Sequence, residues 1–375
     1  MQSVANIGEV VSNFNCEVDA DTWKVFGSGH INDTYFLKSS APDGKDYLLQ
    51  RINHHIFKNV EKLTENMCLV IGHLKNKVNE TGQGNADNEV MTLVPAKNNK
   101  YYYQDDNGDY WRMSHFLSNT HSYDVVENEK QAYEGGKAFG KFQNMLSDLP
   151  SGLMYEVIPD FHNIEKRLKT LNNTVIEDTY GRVAEVKAEL DIIAQHSNEM
   201  LYFQHPAQQQ NLPKRVTHND TKFNNVLLNE NDEAQCVVDL DTVMDGYVAY
   251  DFGDAIRTII NTTAEDEADL NKVQLNMPLF DAYTKGYLEE AGHFLTSAEV
   301  DSLIMGVLLL PYMQGVRFLT DHLSGDHYYK IKFDGHNLQR ARAQLELFKK
   351  LHASADTLRS TVLNEMEKYK SGHAV

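Results

Sequence analysis

Residues 215–254, RVTHNDTKFNNVLLNENDEAQCVVDLDTVMDGYVAYDFGD, hold the side chains best placed to do chemistry. His218-Asn219-Asp220 is followed by Asn225, five residues beyond the Asp, and then by the apolar run Val226-Leu227-Leu228. A polar turn at 229–233 leads to a second apolar run, Cys236-Val237-Val238, which ends at Asp239. A hairpin centred near Asp232 sets position 225 opposite position 239, so an amide oxygen and a carboxylate converge beyond Asp220. Hard oxygen donors of this kind suit Mg²⁺, which keeps part of its water shell and completes the rest with phosphate oxygens. One Asp to accept a hydroxyl proton, an Asn five residues later on a metal, and a further Asp between metal and nucleotide phosphates are the parts of a phosphoryl-transfer centre. A loose transition state asks for positioning and charge neutralisation more than for covalent help. A lone HxD reads as an ordinary turn. It is the HxDx4N spacing, the hairpin length and the order of the terminal Asp that together point to this chemistry.

Such a centre needs a scaffold on both sides. The chain has 375 residues, 41% of them hydrophobic and 10% aromatic, which predicts two domains or lobes with sizeable cores. Residues 22–38, TWKVFGSGHINDTYFLK, read as two strands around a Gly-rich turn. Asp43-Gly44 is a hairpin signal before the strand 46–52. Val60, Leu63, Met67, Val70 and Ile71 fall at helical spacing, 78–88 reads as a polar loop, and two more strands follow at 101–103 and 110–116. After Ser118 the texture becomes helical, over 127–147, 164–203, 280–325 and 336–370, with the β-like island 215–243 in between. The expected fold is therefore α+β: a small antiparallel lobe with one helix over 1–117, and a larger, mainly helical lobe over 118–375.

The net charge of −19 argues against nucleic acid and anionic membranes as partners. No apolar run reaches the ~20 residues of a membrane span, and MQSVANIGEVVSNFN lacks the features of a signal peptide. Cys16, Cys68 and Cys236 are sparse, odd in number and without metal spacing, which fits a reduced, cytoplasmic setting. The oligomeric state is not legible.

The loop and hairpin resemble the aminoglycoside phosphotransferase and choline kinase superfamily, small-molecule relatives of protein kinases, and the resemblance covers nearly the whole chain. THNDTKFNNVL, VVDLDT, DFGDAIR, GSGHINDTY and GVRFLTDHLSGD look particularly like the N-acetylhexosamine 1-kinases of that group. The resemblance implies a bilobal protein-kinase-like fold, ATP and Mg²⁺ as cofactors, and a small sugar, GlcNAc or GalNAc, phosphorylated at its anomeric C1 hydroxyl. Carried over, Asp220 is the catalytic base, Asn225 and Asp239 hold the metal, Asp251 braces the catalytic loop and His218 orients it. Ser28, Gly29, His30 and Asn32 of the Gly-rich turn cover the nucleotide phosphates, and Ser114 and Phe116 sit in the adenine hinge. Asp241 lies two residues past Asp239, so an extended chain points both carboxylates to one side. Arg317 and Asp321, i and i+4 on one helix face, form with Asp241 the sugar clamp, and Phe161-His162 line the entrance or simply pack. Arg257 is a structural ion-pair partner.

One strand departs from the family. Tyr47-Leu48-Leu49-Gln50-Arg51 puts Gln50 or Arg51 where a phosphate-binding Lys is expected, and alternation allows only one of them inward. Gln50 is expected inward with Asn66 as a neutral partner, and Arg51 outside. Two other functions stay open at this point: the same chemistry on an amino alcohol or aminoglycoside, and a nucleotide-binding pseudokinase. The only two Trp, Trp23 and Trp111, lie in the first lobe, which disfavours an aromatic cage for a quaternary ammonium.

Overall fold

The computed structural model describes residues 7–19, 22–27, 31–82 and 84–370. In chain order its elements begin with α1 (Ile7–Val11), β1 (Lys24–Val25), β2 (Asp33–Leu37), β3 (Tyr47–Ile52), α2 (Val60–Thr81) and α3 (Ala86–Glu89). Next come β4 (Leu93–Val94), β5 (Tyr103–Gln104), β6 (Tyr110–His115), β7 (Thr120–His121), α4 (Glu129–Met145), α5 (Ile164–Glu177), α6 (Lys187–Met200) and α7 (Pro206–Asn211). The last are β8 (Arg215–Thr217), β9 (Val226–Asn229), β10 (Ala234–Val237), β11 (Met244–Gly246), α8 (Val248–Ile259), α9 (Met277–Ala291), α10 (Ser297–Leu323), α11 (His336–Ala353) and α12 (Ala355–Lys370). They group into two compact units, one of Met1–His121, Gly152–Ile158 and Leu227–Met244, the other of Ser122–Ser151, Pro159–Val226 and Asp245–Val375. Two segments that the sequence reading gave to the second lobe thus join the first.

In the first unit, an antiparallel sheet runs β1-β2-β3-β6-β4, with β5 also on β6. Alternation along β3 and β6 sends Tyr47, Leu49, Trp111 and Met113 into one core with Ile7, Val10 and Phe14. The same alternation turns Leu48, Gln50, Arg112 and Ser114 to the opposite face. Helix α2 begins where the Asn59 side chain accepts from the Lys62 amide and stops at Gly82, which takes the left-handed conformation at φ 63°. It therefore runs through Thr81, into the stretch expected to be loop. The two late segments are tied in by named bonds. Thr120 and His121 of β7 pair with Asn229 and Leu228 of β9, and buried Asn66 of α2 donates to the carbonyls of Tyr155 at 2.8 Å and Val243 at 3.1 Å. Side-chain capture by one buried amide is invisible to any periodicity.

The second unit is built on α10, which packs against α5, α6, α8, α11 and α12, while α4 packs on α9. By length and composition α10 could cross a membrane, contrary to the expectation that no apolar run is long enough, but 78% of its most apolar window is buried in the protein. That burial is what a core helix requires. Its start is fixed by a capping box between Thr296 and Glu299. The α8–α10 crossing is backbone against backbone: a Cβ on Gly306 would lie 1.8 Å from the Ala249 carbonyl oxygen, and one on Gly253 2.3 Å from that of Gly306. The glycine of Asp251-Phe252-Gly253 is therefore a helix-crossing residue, not part of a metal motif.

Candidate active site

In the second unit, β8 delivers the chain to His218-Asn219-Asp220. Its first residue, Arg215, is anchored on the N-terminal turn of α10 through Nη2 to Glu299 Oε2 at 3.0 Å. Asn219 adopts the left-handed region at φ 66°, a conformation that Asn tolerates better than most residues. Its side chain closes on Thr217, accepting from Oγ1 and donating to the carbonyl at 3.1 Å each. The Asp251 carboxylate, 1% exposed, accepts the amides of His218 at 2.9 Å and Asn219 at 2.7 Å and the Gln143 side chain at 2.8 Å. It braces the loop as expected. Fully buried His218 packs edge-on to Phe139 and Phe142, and its Nδ1 accepts from the Asp220 amide at 3.3 Å. That is an orienting role, not an acid–base one.

Asp220 is thereby presented with its side chain 23% exposed and 3.2 Å from the Lys222 ammonium. Burial pushes its carboxyl up, but Lys222, His218 and Arg257 together outweigh that and hold it below the ordinary carboxylate range. Asn225 turns its amide nitrogen back to the Asp220 carbonyl at 2.8 Å. This orientation leaves the amide oxygen, the atom a hard cation would take, pointing away from that bond. Lys222 was not among the residues expected from the sequence, although it stands only two residues past Asp220. Removing its charge has a readable consequence. A carboxylate that takes a proton works ionised, so if Asp220 has that task a lowered pKa keeps wild-type kcat/KM flat down past an ordinary Asp value of about 3.9. In Lys222→Met the largest of the lowering influences is gone, and the acid limb is expected to move to higher pH. An unmoved limb would show that Lys222 does not set the charge state of the base.

Near this loop is a cationic, aromatic cluster. The Arg317 guanidinium lies over the rings of Phe161, Tyr328 and Tyr329, 5.5, 6.0 and 5.6 Å from their centroids, and donates to Gln314 at 2.8 Å. Burial first, then the charges of Arg317 and Arg167, lowers the His162 pKa to about 3, so this ring stays neutral. Arg167 donates to the Phe161 carbonyl at 3.2 Å, while its Nε and the Tyr329 hydroxyl are buried without a partner among the described residues. Arg257 pairs with Asp254 at 2.9 Å and Glu265 at 2.7 Å, as anticipated. Arg317 and Asp321, expected to share a sugar clamp, make separate contacts. The Asp321 carboxylate takes the amides of His327, Tyr328 and Tyr329 and the Asn337 side chain, at 2.8 to 3.0 Å. Four donors saturate it, so Asp321 holds the loop that carries Tyr328 and Tyr329.

In the first unit several expectations need correcting. The β9–β10 hairpin closes through Asn229 N–H to Glu233 O and Asp232 N–H to Asn229 O, both 2.9 Å. Its centre is Asn231, one residue earlier than assumed, so the arithmetic that set 225 against 239 does not hold. Asp239 follows β10 in the left-handed region, φ 60° and ψ 58°, and 240–242 form a tight helical turn, so Asp239 and Asp241 do not share one side of an extended chain. Asp241 is 3% exposed; one oxygen is held by Arg112 and the other accepts from Asn32 at 2.6 Å. Breaking a buried ion pair of this kind from one side costs about 3–5 kcal/mol.

Asn32 is committed on both sides, since its oxygen also accepts from the Asn53 amide at 2.9 Å. Gln50 does lie on the face opposite Arg51, which pairs with Asp33 and Asp109. Its partner, however, is not Asn66, which is engaged by Tyr155 and Val243. Ser114 is buried in β6 between Leu48 and Leu93. The Phe116 amide already donates to the Asp46 carbonyl at 2.7 Å, so it is not free to read a base. The Phe116 ring meets Phe26 and Phe36 edge-on at 5.6 and 5.1 Å. Ser28, Gly29 and His30 lie outside the described residues.

Residues 22–288 match the phosphotransferase enzyme family. Among solved structures the chain is similar to an aminoglycoside phosphotransferase from Alicyclobacillus acidocaldarius, with a TM-score of 0.61 at 14% identity over 95% of this chain and 96% of that one. It is also similar to the amicoumacin kinase hAmiN in complex with AMP-PNP, Ca²⁺ and Ami, at 0.59 and 12% over 91% and 92%. An ethanolamine kinase from Plasmodium vivax follows at 0.56 and 15%, over 88% and 83%. At such identities the likeness is one of fold: an antiparallel β lobe and a larger helical lobe of protein-kinase type.

Proposed function

The chain belongs to the phosphotransferase enzyme family, and from that membership we propose that it is an ATP- and Mg²⁺-dependent kinase of a small hydroxylated acceptor, most specifically an N-acetylhexosamine at its anomeric C1 hydroxyl. In this reading Asp220 accepts the hydroxyl proton, and its depressed pKa keeps it ionised at neutral pH. By the family resemblance Asn225, through its amide oxygen, and Asp239, through its carboxylate, are each a residue that would ligate Mg²⁺, and the ion would neutralise phosphate charge. A cytoplasmic location belongs to the same proposal, supported by three free cysteines; burial pushes the Cys236 thiol up to about 12, so it stays an unreactive thiol.

The observation that carries the acceptor class is the Arg317 cluster. A cationic acceptor, whether amino alcohol or aminoglycoside, needs carboxylates or open aromatic faces. Here three aromatic side chains are stacked by a guanidinium, and Arg167 and Arg317 ion-pair with no carboxylate among the described residues. Buried donors such as the Tyr329 hydroxyl suit the oxygens of a neutral sugar. The names of the structural relatives favour the second reading, a kinase of an aminoglycoside or amino alcohol.

A panel of N-acetylhexosamines, other sugars, ethanolamine, choline and aminoglycosides in an ATP-consumption assay separates the two. The expected product from N-acetylglucosamine loses reducing-sugar reactivity in step with ATP consumption and releases phosphate in mild acid, as glycosyl phosphates do. A product that still reduces alkaline copper removes the C1 assignment and leaves the kinase intact.

A further inference from the structure

Gln50 stands on β3 where a phosphate-binding lysine is expected, and it carries no charge. The strand register shows a charge beside it. Gln50 faces Thr34 on β2 and Arg112 on β6, and the three side chains form one row: Gln50 Nε2 donates to Thr34 Oγ1 at 3.1 Å and Arg112 Nε to Gln50 Oε1 at 2.9 Å. The Arg112 guanidinium is 2% exposed. Its Nη1 lies against Asp241 and against Met67 Sδ of α2 at 3.1 Å. The Asp239 charge acts on the same guanidinium.

We propose that Arg112 supplies the positive charge that receives the nucleotide phosphates, with Asp241 as the carboxylate that holds it in place, so that an Arg–Asp pair one strand away replaces the lysine of β3. The proposal rests on the kinase reading. A guanidinium keeps its charge when buried and offers a planar fork of donors suited to phosphate oxygens. Stability alone does not call for such a pair, because apolar side chains of similar volume serve a core at least as well. The row also accounts for the residue at position 50. A lysine there would face Arg112 as a second buried cation, whereas glutamine accepts from Arg112 and donates onward to Thr34. Gln50 is thus the neutral neighbour that Arg112 requires, and its presence does not mark a dead enzyme.

Calorimetric titration of the full-length protein with adenosine and with Mg·ADP, beside thermal melting and steady-state kinetics, tests this. Wild type is expected to bind Mg·ADP more tightly than adenosine. Arg112→Met should bind adenosine as wild type does, lose about tenfold or more of the Mg·ADP affinity, and lose about 10² in kcat/KM for ATP. Gln50→Lys alone should weaken Mg·ADP binding by placing like charges together, yet added to Arg112→Met it should restore about tenfold. That reversal of sign is not expected of a structural residue. If Arg112→Met does not fold, Arg112→Met with Asp241→Asn leaves no unpaired buried charge and gives the same reading. An unchanged ratio of ADP to adenosine affinity in these variants, with an active wild type, overturns the role of Arg112 and spares the kinase reading. A wild type that binds Mg·ADP no better than adenosine overturns both.

Discussion

Asp239→Ala is expected to lower turnover with Mg²⁺ by on the order of 10³ or more, because phosphoryl transfer depends on electrostatic stabilisation and the metal provides much of it. The fold should survive. Asp239 is exposed and sits in a left-handed turn after β10, outside the apolar core. Asp is among the few non-glycine residues at ease in that conformation, so Ala costs about 1–2 kcal/mol there, which a melting curve registers as a modest shift. The kinetic variant to set beside it is Asp239→Asn, which keeps an oxygen donor but loses the charge; it should recover little activity and need more Mg²⁺ for half-maximal rate. Near-normal turnover in the purified Ala variant at ordinary Mg²⁺ would withdraw Asp239 from the metal.

The second large effect is expected at Asp220, the proposed base. Asp220→Asn should lower kcat by on the order of 10² to 10⁴, the range for a lost general base, and leave Mg·ADP affinity close to wild type. The substitution is nearly isosteric, and the loop is held by bonds the side chain does not make: Asp251 to the amides of His218 and Asn219, and Asn225 to the Asp220 carbonyl. The loop geometry should therefore persist, so the split between kcat and nucleotide binding reports on the carboxylate itself. If nucleotide affinity collapses while kcat holds, Asp220 is a binding residue and another group takes the proton.

The parts legible in the chain were those encoded locally. Period-2 and period-3.6 patterns separate a β-rich first third from a helical remainder, because side-chain direction in strands and helices follows directly from backbone geometry. The HxDx4N loop was legible for a similar reason. His218, Asp220 and Asn225 lie within eight residues, and the bonds that shape the loop, Asn219 to Thr217 and Asn225 to Asp220, span two to five positions. The hairpin centre, the turn at Asp239 and the end of α2 were shifted by local backbone geometry, and the other corrections depended on where a distant segment lies. Asp321 shares a helix face with Arg317, yet the loop of His327, Tyr328 and Tyr329 claims its carboxylate. Asp241 is two residues from Asp239, but a left-handed turn intervenes and a strand 129 positions away holds its carboxylate. Asn66 has helical spacing and nothing else to announce that it gathers Tyr155 and Val243.

By itself, then, the sequence determined the β-rich and helical parts of the chain and the type of chemistry, since each follows from neighbours along the chain. Which side chains neighbour Gln50, which carboxylates are already spent on the protein's own amides, and which faces the arginines cover were decided only by the tertiary structure. Strand register and buried hydrogen bonds choose partners 62 and 209 residues apart, as Gln50 with Arg112 and Asn32 with Asp241 do, and no local propensity specifies that choice.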